Sequence, residues 1–529
     1  MKRILAAVLT VLCLLSALSC ERPVTECSNP LTYTDTPDPD VIRVGDDFYL
    51  VTTTMYFCPM VPIMHSRDLV HWEIVSYVTP DIGDIDNYTF AGGKNAYGKG
   101  QWATSLKYHD GWFYVLFITN ETRKTYIYRT QDITRSNWDL HSVLDEPFHD
   151  ATLHFDEDGR VFVVYGNSQL RLVELEPDLS GVRQGGVNKL IVDYHPEGAA
   201  LGAEGTRFLH IGDYYYLLEI DSAREWLRTE RCWRSKSIEG PYEQKVVCKG
   251  TIGGRSDGVA QGTIVDTPAG DWYAVVFQDH GAVGRIISLQ PVTWVDGWPI
   301  MGDDTKPVES LTVNLAPWGG DKVWASDEFD GSELPLVWQW NHKPLDGCWS
   351  LSERPGWLRL TTGQLADNLG NARNSLTQRT VGPKCHSVVK MDATALKKGD
   401  FAGISAFQST RVSIGIEAGE SGHELVVRTR RTERVPGEPA PTEIFEDILR
   451  QPAESDIVWL RIDYDFDNDT ATVSYSYDGE AWTGVDYVLQ MRYTLDYFTG
   501  YRTALFCYAT EELGGHADFD FFHQEIDKN

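Results

Sequence analysis

Positive charge is short in the 529-residue sequence, with 47 lysines and arginines facing 77 aspartates and glutamates for a formal charge of −30. Such a chain repels phosphate backbones and anionic bilayers, which excludes nucleic acid as a partner and a membrane surface held by charge. Helical periodicity is nearly absent, so helix bundles and doubly wound folds are out. No CxxC or Cys/His spacing suggests zinc, no glycine-rich loop would cradle phosphate, and no Ser/His/Asp order marks a hydrolytic triad. Long apolar runs are scarce too. The run from Ile4 to Leu18 is too short to cross a bilayer.

What fills the chain is short, alternating β-branched and aromatic runs cut by Gly, Asp and Pro, as in GTIVDTPAGDWYAVVF and ATVSYSYDGEAW. One unit recurs. A Gly or Asp turn precedes Phe48-Tyr49-Leu50-Val51, Phe113-Tyr114-Val115-Leu116, Val161-Phe162-Val163-Val164, Tyr215-Tyr216-Leu217-Leu218 and Trp272-Tyr273-Ala274-Val275. Repeats of about 50 residues, each with several short strands, are the mark of propeller blades. Five copies predict an all-β, five-bladed β-propeller. The innermost strand of every blade lines one channel, and stepping back 10 or 11 residues from each anchor gives Asp38, Trp102, Asp150, Glu204 and Gln261. Three carboxylic acids at equivalent positions are read as an active site rather than as turn residues. His65 and His280 stand alone and read as structural.

Residues 1–20 form a targeting segment, with Lys2-Arg3 at its start and Ser19-Cys20 at its end. Cys20 at the cleavage point resembles a bacterial lipoprotein signal, although Ala17 stands where leucine is usual. The expectation is export and a lipid anchor in the periplasm or at the surface of a Gram-negative cell, with no other membrane contact. The propeller is expected over 21–304, a wrapping linker over 305–323, and a jelly-roll or lectin-like β-sandwich over 324–529. Of nine cysteines, seven remain after Cys13 leaves with the signal and Cys20 takes lipid, so at least one is unpaired. Cys232 and Cys248 flank a turn and are candidates to face each other. Asp327, Glu328 and Asp330 open the sandwich, while Asp518 and Asp520 close it. If first and last strands pair, these hard oxygen donors would meet as a structural calcium site; solvated surface acid is the competing reading.

Three carboxylates at a channel mouth suit glycoside hydrolysis, in which one acts as base or nucleophile and one, protonated, as acid. A glutamate with a reference pKa of about 4.3 needs help to hold a proton near neutrality. A neighbouring carboxylate and desolvation both supply it. No cofactor is called for, and tryptophan and tyrosine faces suit sugar rings.

At these residues the sequence becomes recognisable. TPDPDVIRVGDDFYLVTTT resembles the opening of glycoside hydrolase family 43, and the match runs on through MHSRDLVHW, GQWATSLKYHDGWFYVLF, DATLHFDEDGRVFVVYG, AEGTRFLHIGDYYYLLEI and GRIISLQPVTWVDGWP. It covers the chain from about Asn29 to Gly302, and the remainder looks like the sandwich of family members with β-xylosidase or arabinofuranosidase activity. The resemblance implies inversion, with Asp38 as general base, Glu204 as general acid and Asp150 tuning the acid. Asp40 departs from the serine of many relatives and puts a second acid near the base. Gln261 departs from a histidine. Arg285 matches an arginine that reaches substrate hydroxyls, with a structural salt bridge as the competing role. Trp102 and Phe57 are candidate pocket walls, core packing competing for Phe57 and Tyr56. The leading expectation is an exo-acting α-L-arabinofuranosidase on plant hemicellulose. The alternatives are a β-xylosidase on xylo-oligosaccharides and a non-catalytic carbohydrate-binding lipoprotein.

Overall fold

Each aromatic run becomes the second strand of a sheet: Asp47–Val51, Trp112–Thr119, Val161–Asn167, Tyr214–Ser222 and Trp272–Asp279. The glycine in the turn before each run (Gly45, Gly111, Gly159, Gly212, Gly270) has positive φ, a conformation glycine adopts without a Cβ clash. The structure, a computed structural model, describes residues 23–198, 201–222, 227–320, 322–434 and 441–527. The expected signal and anchor, residues 1–20, lie outside them. Among the described residues, five four-stranded sheets follow one another along the chain. The innermost strands are Asp40–Val44, Ser105–His109, Thr152–Phe155, Leu201–Ile211 and Ala260–Asp266.

Apolar faces of adjacent blades close on each other. Leu116 and Ile127 of blade two meet Leu153, Val163 and Val173 of blade three, and Tyr216 and Leu218 of blade four meet Ile264 and Val276 of blade five. Between blades one and five, Arg43 pairs with Asp266. The segment expected as a plain linker does more than wrap. Its Ser310–Val313 forms an antiparallel ribbon with Thr25–Ser28, and Asn29 donates to the carbonyls of Leu289 (2.8 Å) and Val308 (2.9 Å).

The C-terminal domain is a sandwich of an eight-stranded and a seven-stranded sheet. One strand of the first sheet comes from the propeller. Phe57–Cys58, in the loop between the second and third strands of blade one, pairs antiparallel with Gln339–Asn341. This corrects the expectation for Phe57. Its ring is not a pocket wall but is sealed between the domains, 1% exposed, with the Arg502 guanidinium carbon 3.7 Å from its centroid. Tyr56 joins the same seam, 4.9 Å from the His342 ring.

Two further expectations change. Cys232 lies opposite Lys245 and Cys248 opposite Glu230, so their strand register does not set them face to face, and both are free thiols. The ends of the sandwich do meet, Asp327 bridging Phe522. The calcium cluster nevertheless does not assemble, because the acids are separately engaged. Asp327 accepts from the Trp338 indole (2.8 Å), Glu328 meets His523 (2.6 Å), Asp518 is held by Arg359 (2.7 Å) and Arg354 (3.0 Å), Asp520 is paired with Lys390 (2.7 Å), and Asp330 is exposed.

Two outcomes are expected. Phe57→Ala empties a sealed site and should lower the unfolding free energy by about 3–5 kcal/mol, read from the urea midpoint. Chelation with EDTA should leave the melting temperature unmoved; a fall reversed by calcium would restore the metal reading.

Candidate active site

The channel mouth is built on a backbone irregularity shared by several blades. Asp38, Asp150 and Gln261 adopt left-handed φ of 55°, 48° and 58°, and Gly205, next to Glu204, has 68°. A left-handed residue with a Cβ costs roughly 1–2 kcal/mol and persists only where its surroundings impose it. At Glu204 and Gln261 the inner strand also slips register against its neighbour. A Cβ on Gly205 would fall 2.7 Å from the Gln261 side chain, so only glycine fits there.

Asp38 is fixed from three sides. Its Oδ2 accepts from Thr53 (2.6 Å), its Oδ1 from Arg285 Nη1 (2.7 Å), and its carbonyl from Arg207 Nη2 (2.9 Å). Arg285 thus forms the salt bridge and also lines the cavity at the channel mouth, with its Nε and Nη2 lacking hydrogen-bond partners. Burial works against its charge, but Asp38 overrides that and holds the guanidinium above its ordinary pKa. Asp40 points elsewhere. It is buried, accepts from the Leu106 amide (2.8 Å) and lies 3.5 Å from Arg207 Nε, which makes it a framework acid.

Asp150 Oδ2 accepts from the Gly205 amide (3.0 Å), tying blade three to the residue after Glu204. Burial pushes the Asp150 carboxyl up to about 6; His149 opposes the shift, and Glu204 and Asp38 add to it. Glu204 has partners of its own: the Asn167 amide donates to its Oε2, and His149 Nε2 lies 3.2 Å from the same atom. His149 is pushed up to about 9, foremost by Asp150, against burial and with help from Glu204 and Asp38. His149 went unremarked in the sequence although FHDAT places it directly before Asp150. Lone-histidine logic hid it.

These groups line a cavity of about 480 Å³ with Met55, Trp102, Gln261, Arg228, Asp257, Asp279, Leu495 and Phe498. Trp102 and Gln261 stand where expected. The Gln261 amide donates to the buried Glu230 (2.6 Å). Leu495 and Phe498 come from the sandwich, which blade periodicity cannot reveal. Phe498 sits 4.8 Å from the Arg285 guanidinium and 5.6 Å from the Trp102 ring. Buried Asp35 anchors this loop by accepting from the amides of Gly500 (3.0 Å) and Arg285 (2.9 Å). His65 and His280 are structural: His65 bonds Asp47 (2.9 Å), and burial drives His280 down to about 3. Of the clustered His and acid groups on the sandwich, His386 is paired with Asp527 (2.6 Å) and Asp463 with Arg461 (2.9 Å).

A five-bladed propeller with three carboxyls at one channel mouth defines a glycoside hydrolase. Residues 27–299 match the model for glycosyl hydrolases family 43, and 326–525 match that for the beta xylosidase C-terminal concanavalin A-like domain. The chain belongs to glycoside hydrolase family 43, whose members invert the anomeric centre. It is 30% identical over 462 residues to a putative beta-xylosidase of Xylanibacter ruminicola, spanning 84% of this chain and 80% of that one. It is 29% identical over 430 residues to a non-reducing end alpha-L-arabinofuranosidase, BoGH43B, of Bacteroides ovatus, spanning 77% of each. Among solved structures, a bifunctional GH43-CE protein of Bacteroides eggerthii superposes with a TM-score of 0.87 at 40% identity, covering 96% of this chain and 64% of that longer one.

Phe498→Ala should lower kcat/KM by about tenfold or more, the ~1.5–3 kcal/mol of an apolar wall, with little change in the unfolding midpoint. An unchanged kcat/KM would remove the sandwich from the substrate pocket.

Proposed function

We propose that the protein is an exo-acting enzyme that removes single pentose units from the non-reducing ends of hemicellulose chains. The carrying observation is the shape of the site: all three acids open into one cavity ringed by the blades and covered on one side by Leu495 and Phe498 of the sandwich. Such a pocket suits a chain end. Asp38, paired with Arg285, acts as the base that deprotonates water, and Glu204 acts as the acid on the leaving oxygen. Asp150 positions and tunes the acid through Gly205 and His149.

For the sugar itself, the names of the relatives weigh toward terminal β-D-xylosyl units. α-L-Arabinofuranosyl units, the leading expectation from sequence, are the second reading, supported by the name of the Bacteroides ovatus relative. The presence of all three acids speaks against a protein that only binds carbohydrate.

Aryl β-D-xylopyranoside and aryl α-L-arabinofuranoside should both be turned over, with the higher kcat/KM on the xyloside. The reverse ratio selects the second reading, and inertness toward both sinks the proposal. Asp38→Asn should lose roughly 10²–10⁴-fold in rate, recovered in part by azide with an activated donor, whereas Asp40→Asn keeps most activity.

A further inference from the structure

We infer that His149 is a positioning residue acting through Glu204: the two side chains hold one proton between them, kept on His149 in the open site and passed to Glu204 when substrate fills the pocket. The inference rests on Glu204 being the acid. Its footing is geometric. His149 Nε2 lies 3.2 Å from Glu204 Oε2 and 3.8 Å from Asp150 Oδ2. At the first distance the hydrogen bond is satisfied with the proton on either partner, the imidazole donating or the carboxyl donating. Asn167 donates to the same Oε2 and fixes the carboxyl in place for the exchange.

The groups around His149 decide where the proton rests. Asp150, Glu204 and Asp38 face it with negative charge, and their field favours the imidazolium. The cations Arg207 and Arg285 act on Asp150 and Asp38. On its remaining side the His149 ring is 5.7 Å from that of Trp102, and its side chain is 32% exposed, so water still solvates the charge. A sugar resting on Trp102 removes that water. Excluding water penalises a separated charge pair more than a neutral one, and the N–H proton crosses to the Glu204 carboxyl. The carboxyl O–H then gives the proton to the glycosidic oxygen as the anomeric C–O bond breaks. Asp38 takes a proton from water as the water oxygen bonds to the anomeric carbon. Solvent afterwards removes the proton from Asp38 and returns one to the His149–Glu204 pair, so charge and protons balance over a turnover.

The test compares pH–rate profiles of wild type, His149→Gln and His149→Asn on xylobiose and on a dinitrophenyl β-D-xyloside. Both variants should move the alkaline limb for the disaccharide to lower pH by roughly one to three units. The limb for the activated donor, whose departure needs no proton, should stay where it is. A limb that is unmoved, or that moves upward, in a folded variant overturns the inference, since a merely structural histidine or a merely repulsive charge gives those results. In parallel, ¹⁵N-histidine spectra of the wild type, with the His149 signal identified by its loss in His149→Gln, should show it titrating well above the ordinary histidine range and falling back in Glu204→Gln. An unchanged titration in Glu204→Gln overturns the shared proton whether or not a variant misfolds. A wild type inert on both substrates overturns the glycosidase reading instead, and the nitrogen titration then decides the pairing alone.

Discussion

The site depends on one buried cation. Arg207 is fully enclosed in the channel beneath the acids, and its guanidinium donates to the carbonyls of Asp38, Pro39 and Thr206. Burying an arginine is costly unless its donors are met and a counter-charge is near. Here backbone oxygens of blades one and four meet them, and Asp40 lies 3.5 Å away. The same contact fixes the backbone that carries the base to the strand that carries the acid, three residues from Glu204. Asp40 is thus the counter-ion of the framework, and its departure from the family pattern puts no second base in the pocket.

Above Arg207 the charges are sorted by partner. Asp38 is locked to Arg285, while Asp150 accepts from the Gly205 amide, and burial is the largest influence on its carboxyl, opposed by His149 and Arg207. Like charges in one cavity can hold a proton only where no fixed cation claims the carboxylate. Arg285 on Asp38, and His149 beside Asp150 and Glu204, separate the base from the two groups proposed to share a proton.

Much of this was legible in the chain. The turn-then-aromatic unit located all five second strands, because a hairpin glycine and a buried run are local signals. The step back to Asp38, Trp102, Asp150, Glu204 and Gln261 worked because blades repeat their inner strand, and the left-handed backbone at Asp38, Asp150 and Gln261 is a structural counterpart of that spacing. Phe57, Leu495 and Phe498 were illegible for the opposite reason, since each owes its place to a partner hundreds of residues away. His149 was within reach: a histidine beside a candidate acid belongs to that acid's field even when it stands alone in sequence. The acids at the sandwich ends misled because charge composition does not show which cation each carboxylate meets.

The strand that blade one lends to the sandwich has a consequence for the order of assembly. Gln339 donates to the Pro59 carbonyl across 280 residues of chain (2.7 Å), so this seam joins segments far apart in sequence. Contacts so far apart form slowly, and none of this one can form until the sandwich has been synthesised. Until then the Phe57–Cys58 edge is an unpaired strand with an apolar ring, a template for the wrong neighbour. The propeller is therefore a domain by topology but not by autonomy. A chain cut at its apparent end would carry that open edge permanently, together with an active-site pocket missing one wall.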